Sequence, residues 1–396
     1  MGNNLILMVT DKDPWGEPTG GQTTFAKHLL FVYRERLAVS SHCQDKNIPI
    51  GKWIKRPFLG VPVWFFNRGL VKLAKDKKPF IPSRLSAYLN ARFFMPKIRE
   101  MLFQGLIIDS PEMLFASAKY SWESVCFSFA GVNNPVTNSR YPWARIFGKT
   151  YEYYFVSCLN NLNPDVIIAA ADRTAIDEFF LRTSSALDRS RFHQFPTRVD
   201  TDLFYPMSTP EVRRKLDVSL TAKVFVATGR LCWIKGWELL LESLVYIKEQ
   251  YADALLIFVG DGEDHEKIEK RAKELGVYNN IRITGFVPQS VVVQYMNAAD
   301  VCVVASHLEG WSLAMCEMIG CGKPVVSTNV SGARNMILEG LNGYVVCDRN
   351  PAVYAEQICR SMELLNATQH SLQLAQRYAV KNLAADLTAL WPVIGS

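Results

Sequence analysis

The sequence predicts an α/β protein of two Rossmann-like domains, and three observations predict it. At 396 residues the chain is too long for one ordinary core. From Val224 onward, short β-branched runs alternate with segments of helical spacing, the pattern of a parallel sheet covered on both faces. The chain also opens with a strand, a glycine-containing loop and a helix, which is half of a nucleotide-binding type of unit.

Residues 5–9 read as the first strand, and the loop 10–21 after it holds Pro14, Pro18 and the pair Gly20-Gly21. A Gly-Gly pair is equally an ordinary tight turn. Residues 23–37 read as a helix with Phe25, Leu29, Leu30 and Val32 on its apolar side, and 124–130 and 165–170 read as further buried strands. The proline-bounded, aperiodic stretch 196–206 is the expected connection. The domains are thus expected at 1–195 and 196–375, with a C-terminal helix and tail over 376–396, the helix itself spanning about 375–390. In the second half, strands are expected at 224–228, 254–259, 281–284, 301–305 and 324–328. The helices between them are expected at 237–249, 264–275, 290–298 and 313–319. Ligands of such sheets bind outside the carboxyl ends of the strands, here the loops 229–236, 260–263, 285–288 and 307–312.

Composition narrows the class. Hydrophobic residues make up 49% and charged residues 21%, as in a globular protein, and no apolar run is long enough to span a membrane. The N-terminus lacks the basic segment and cleavage site of a signal peptide. The nine cysteines form no C-x-x-C pair and read as buried thiols in a reducing cytoplasm, and the six histidines show no ligand spacing. The net charge of +6 is concentrated: residues 51–100 carry twelve Lys or Arg against Asp76 and Glu100, so the rest of the chain is negative. In that window Lys52, Lys55, Arg56, Lys72, Lys75, Lys77 and Lys78 are mixed with Trp53, Phe58, Val63, Trp64, Phe65 and Phe66. This is the composition of a surface for anionic membrane. Single-stranded nucleic acid suits it too, but no nucleic-acid module accompanies it, so membrane is the expected partner and nucleic acid is not.

The chemistry centres on residues 301–328, a strand, loop, helix and second strand. Ser312 is the expected N-cap of the helix and Gly320 or Gly322 its stop. Glu309 falls in the loop and Glu317 in the helix. The helix-start amides near Trp311, Ser312 and Leu313 suit a phosphate oxygen, and the carboxylates suit sugar hydroxyls. Arg230 and Lys235 follow the strand 224–228 and would neutralise a diphosphate without a metal. Two D-x-D triplets, Asp11-Lys12-Asp13 and Asp200-Thr201-Asp202, read as turns and not as metal sites.

These motifs resemble those of the retaining GT-B glycosyltransferases of family four (glycosyl transferases group 1). The E-x7-E signature is Glu309 to Glu317, and Gly229-Arg-Leu with Lys235-Gly236 matches the G-R-L…K-G element. Val259-Gly-Asp-Gly262, Gly285-Phe-Val-Pro288 and the run from Cys321 to Val326 follow in the family's order. The resemblance implies a GT-B fold, two Rossmann-like domains facing across a cleft with the last helix returning to the first. It implies retaining, metal-independent, hexosyltransferase-type transfer from a nucleotide sugar, with no cofactor. Arg230 and Lys235 would hold the diphosphate, Glu309 the donor sugar, Glu317 the ribose and the loop at Val287 the base. Gly20, Gly21, Gly229 and Gly310 complete the donor-binding set. The expected acceptor is a glycan or lipid-linked intermediate of polysaccharide or glycolipid assembly, at the cytoplasmic face of the cell membrane. Three positions depart from the family pattern: Ala130 stands where many relatives have histidine, Pro196-Thr-Arg-Val-Asp200 replaces P-N-G-V-D, and Ser331-Gly-Ala-Arg-Asn335 replaces G-G-x-x-E. An inactive relative acting as a membrane-associated scaffold is the alternative.

Overall fold

The chain divides into two units, Met1–Pro196 with Asn382–Ser396 and, separately, Thr197–Lys381. The computed structural model describes residues 4–16, 20–70, 83–137, 142–183 and 187–396.

Unit 1 runs β1 (Ile6–Val9), α1 (Gly21–Tyr33), β2 (Leu37–Cys43), β3 (Trp53–Phe58), β4 (Val61–Leu70), α2 (Ser83–Ile98) and β5 (Gly105–Ile108). It continues α3 (Pro111–Ser117), β6 (Val125–Phe129), α4 (Pro142–Arg145), α5 (Gly148–Leu162), β7 (Val166–Ala169), α6 (Arg173–Thr183) and β8 (Phe192–Gln194). Its sheet has the order β3-β4-β2-β1-β5-β6-β7-β8. Among the described residues only the β3–β4 pair is antiparallel. The described helices and strands bury an apolar layer that includes Leu7, Val9, Ile108, Phe127 and Phe155.

Two expectations for this half are corrected. The first helix stops at Tyr33 and not at 37, because Leu37–Cys43 is drawn into the sheet between β1 and β4. The aromatic residues of the basic window face inward to a large extent. Phe58, Val63, Phe65 and Phe66 are buried, and the Trp53 ring packs against Phe66 and Phe103 at 5.3 and 5.8 Å. Arg56 is likewise turned inward, pairing with Asp13 at 3.2 Å and stacking over Trp15. The reason is the β3–β4 hairpin, which makes this segment the edge of a sheet covered on both faces, so both alternating sets of side chains find apolar cover. Leu59 and Gly60 both have positive φ, as a two-residue hairpin turn requires. Lys72, Lys75, Lys77 and Lys78 lie outside the described residues.

Unit 2 runs α7 (Thr209–Lys215), β9 (Val224–Thr228), α8 (Trp237–Gln250), β10 (Leu255–Val259), α9 (His265–Glu274), β11 (Ile281–Ile283), α10 (Gln289–Ala298) and β12 (Val301–Val304). Then come α11 (Leu313–Gly320), β13 (Val325–Thr328), α12 (Ala333–Met336), β14 (Gly343–Val346), α13 (Pro351–Ser361) and α14 (Ala367–Arg377). Its strands are parallel in the order β11-β10-β9-β12-β13-β14. Strands built from β-branched runs are what a sheet buried on both faces selects. Phe225, Leu256, Phe258, Val303 and Val326 accordingly sit in one core with Leu240, Leu244 and Tyr354 from the covering helices.

The expected single helix over 375–390 is two helices. The backbone at Tyr378 and Val380 exchanges hydrogen bonds with Val199, which takes it out of helical pairing. α15 (Leu383–Leu390) then forms with unit 1. Tyr33 donates to the Ala384 carbonyl at 2.9 Å, Arg36 to that of Val393 at 2.9 Å, and the buried Trp391 indole to Ser124 at 2.8 Å.

Candidate functional site

Each sheet reverses its winding once. In unit 2 the chain lays down β9, β10 and β11 in one direction, then adds β12, β13 and β14 on the other side of β9. The loops leaving β9 and β12 part at their carboxyl ends, and such a switch point opens a crevice. Gly229, Arg230 and Lys235 occupy the first of these loops. Glu309, Gly310, Trp311 and Ser312 occupy the second, and Leu313 and Glu317 belong to α11. Thr228, Gly229, Arg230, Lys235, Glu309 and Ser312 line one small cavity there.

The loops are held by close backbone approach. At Gly236, where φ is +66°, a Cβ would collide with the Ala305 carbonyl, and at Gly260 it would strike that of Gly229. Gly229 donates to the Val259 carbonyl at 3.0 Å and Leu231 to that of Asp261 at 3.0 Å. From the other side, Arg349 donates to the Ala305 and Ser306 carbonyls at 2.8 and 3.3 Å, and the Thr328 hydroxyl to Ser306 at 2.7 Å. Neither Arg349 nor Thr328 belongs to a sequence motif, and the Arg349 contact spans 44 positions, so neither stands out in the sequence.

Within this frame the charged groups are specific. Lys235 Nζ donates to Glu309 Oε1 at 2.6 Å, and the Ser306 hydroxyl donates to the same oxygen at 2.7 Å. Arg230 is exposed and, among the described residues, forms no ion pair. Ser312 caps α11, its hydroxyl accepting the Met315 amide at 3.4 Å. The Trp311 side chain turns into the core, edge-on to Tyr378 at 5.5 Å, so this position offers a ligand its backbone and not its ring. Glu317 is buried in α11, and burial alone pushes its carboxyl up to about 8. Val287 is half-buried in the loop after β11, at the same edge of the sheet.

The remaining expected residues are in unit 1, apart from the triplet at Asp200 in unit 2. Gly20, with φ of +145°, precedes α1, and Gly21 is its first residue; the Gly20 carbonyl accepts the Thr24 amide at 3.1 Å. Ala130 is exposed just past β6. Asp13 accepts from the Trp15 and Gln44 amides at 3.1 and 2.8 Å as well as from Arg56, and Asp200 accepts the Asp202 amide at 3.0 Å, both as turn residues.

Residues 208–376 match the family Glycosyl transferases group 1. D-inositol 3-phosphate glycosyltransferase of Geodermatophilus obscurus is 32% identical over 246 residues, which are 58% of this chain and 55% of that protein. The chain thus spans about half the length of the curated relatives it matches. Among solved structures, sucrose-phosphate synthase from Thermosynechococcus elongatus superposes with a TM-score of 0.78 at 16% identity, over 98% of each chain. Anabaena Alr3699/HepE in complex with UDP-glucose gives 0.71 at 19% identity, over 97% of this chain and 100% of that one.

Proposed function

We propose that this chain, whose residues 208–376 match the glycosyl transferases group 1 and which has the GT-B fold, is a retaining, metal-independent transferase that moves a hexose from a nucleoside-diphosphate sugar to a glycan or lipid-linked acceptor. The observation that carries this reading is the gathering of Arg230, Lys235 and Glu309 around one crevice at the switch point, beside the capped start of α11. Arg230 and Lys235 stabilise the departing diphosphate as its charge develops, the role an oxyanion site fills. Glu309, released from Lys235, accepts from the donor sugar's hydroxyls, and Glu317 accepts from the ribose. The acceptor oxygen bonds to the anomeric carbon on the face the diphosphate leaves. Its proton passes to a diphosphate oxygen, so no separate base is required.

The acceptor is proposed to reach the enzyme from the cytoplasmic face of an anionic membrane. Among the described residues no helix is long and apolar enough to cross one, and the proposed contact is a peripheral one. With Phe65 and Phe66 assigned to the core, the apolar part of this contact falls to α2. That helix exposes Leu85, Leu89 and Phe93 on one stripe, carries Arg84, Arg92 and Lys97, and has no acidic residue.

A thermal-shift screen of UDP-, GDP- and ADP-sugars, followed by an assay of nucleoside diphosphate release with membrane extract as acceptor, tests the reading. A donor that raises the melting temperature and is consumed supports it, since a ligand of the folded state stabilises by mass action. Binding without turnover leaves the scaffold reading, and no binding sinks both.

A further inference from the structure

Arg349 lies in the loop between β14 and α13 and is exposed as a residue. Its guanidinium nevertheless reaches back into the fold. Nη1 donates to the Ala305 carbonyl at 2.8 Å and to that of Ser306 at 3.3 Å. Both carbonyls stand past the pair Val304 and Ser327, where the β12–β13 ladder ends, so they need donors from outside it. Thr328 shares the Ser306 carbonyl at 2.7 Å, and Arg349 serves that of Ala305.

Ala305 and Ser306 are also where the two loops of the crevice touch. A Cβ on Gly236 would meet both the Ala305 oxygen and Arg349 Nη2, so glycine, carbonyl and guanidinium are packed against one another. The next amide along, that of His307, donates to the Ile234 carbonyl at 2.8 Å. Lys235 immediately precedes Gly236 in the first loop. Glu309 follows in the second, and the Ser306 hydroxyl donates to its Oε1 at 2.7 Å. A shift of the Ala305–Ser306 backbone therefore carries Glu309 with it, and a shift of Gly236 carries Lys235. Arginine suits this joint because its planar fork serves two carbonyls at once, whereas a lysine is a single flexible point charge.

We propose that Arg349 is a positioning residue: by holding the Ala305 and Ser306 carbonyls against Gly236, it fixes where Lys235 and Glu309 stand relative to each other. Its effect on turnover rests on the transferase reading, and its effect on the pair does not. Catalytic groups misplaced by about 1 Å lose on the order of a hundredfold in rate, so a joint remote from the reacting atoms can still govern turnover.

NMR of the full chain carrying nitrogen-15 at the lysine side chains reads the pair without donor or turnover. A hydrogen-bonded ammonium exchanges slowly enough to be seen, and the Lys235 signal is the one missing in Lys235→Arg. That signal should vanish in Glu309→Gln and be lost or displaced in Arg349→Gln. Arg349→Lys, which keeps the charge and one donor, should fall between; it also serves should Arg349→Gln fail to fold by circular dichroism. Arg334→Gln, which removes a neighbouring charge but neither carbonyl bond, should leave the spectrum as in wild type. In the transfer assay Arg349→Gln should lower kcat at least tenfold with the donor KM within about threefold, and Arg349→Lys should recover part of the loss. The inference is overturned if the folded Arg349 variants keep the wild-type Lys235 signal, or if the wild-type protein shows no such signal. It is equally overturned if the signal moves while kcat does not. A wild-type protein without turnover would sink the transferase reading and leave the spectrum to decide the role of Arg349 in the pair.

Discussion

Lys235 and Glu309, 74 positions apart in sequence, are joined by a 2.6 Å hydrogen bond. In the proposed reaction they have different clients, the diphosphate and the donor sugar. Donor binding must separate or share them. Partly exposed ion pairs of this kind are worth about 0–1 kcal/mol, which makes that separation inexpensive. Lys235→Ala should therefore shift the melting temperature little while lowering turnover by roughly 10²–10³, the usual cost of removing a donor to developing charge. Glu309→Gln, which keeps the shape and loses the charge, should also depress turnover more than stability. Wild-type kinetics in both variants would remove these residues from the site.

Glu317 offers a test through pH. Burial pushes its carboxyl from 4.5 up to about 8, so between those values the folded state retains a proton that the unfolded state releases. With fewer protons on the unfolded side, this group makes stability fall as pH rises through that window, by on the order of a few kcal/mol. Glu317→Gln should flatten the dependence and raise the melting temperature at pH 8. Ribose hydroxyls donating to the carboxylate favour its ionised form, so donor binding at pH 7 should release a proton. Calorimetry in buffers of different ionisation enthalpy reads that release directly. Glu317→Ala should weaken donor binding by about 1.5–3 kcal/mol, as for other hydrogen bonds to charged groups. A pH-independent stability difference between wild type and Glu317→Gln would contradict the assignment.

Legibility in the sequence followed how far each feature depends on distant partners. The strands of unit 2 are β-branched runs whose burial on both faces is written locally, and Ser312 announces its helix by type and position. In unit 1 the local pattern misleads. The helical reading runs on to Leu37, and only the place of Leu37–Cys43 between β1 and β4 makes that residue the start of a strand. Phe65 and Phe66 sit among cations in sequence but are buried on the sheet in space. Adjacent residues on a strand face opposite ways, and sequence alone does not say that both faces are covered.

Charge compensation by Arg230 and Lys235 makes a second kinetic prediction. Transfer should persist in excess EDTA and fall at least a hundredfold in Arg230→Ala, whose side chain has no structural ion pair among the described residues to lose. Circular dichroism and melting temperature of that variant should match wild type. Loss of transfer on chelation, restored by Mn²⁺ or Mg²⁺, would replace this clamp with a metal.

The membrane reading now joins lysines of the basic window to an apolar stripe that the sequence alone does not single out. Lys52 and Lys55 are exposed on and beside β3, while Phe93, 76% exposed, follows Leu85 and Leu89 at helical spacing on α2. Each Lys or Arg near an anionic surface contributes about 1 kcal/mol, and that attraction is screened within a Debye length of about 10 Å at 0.1 M salt. Three apolar side chains on one stripe add insertion that salt does not weaken. The protein should therefore sediment with phosphatidylserine-containing vesicles, much less with neutral phosphatidylcholine, and be only partly released by salt. Leu89→Ser with Phe93→Ser should make the residual binding fully salt-sensitive. Replacing Lys72, Lys75, Lys77 and Lys78 with Glu should abolish sedimentation with donor binding intact. Equal recovery with both vesicle types, or none with either, would make the basic window a solvated face and direct the search for the acceptor to soluble glycans.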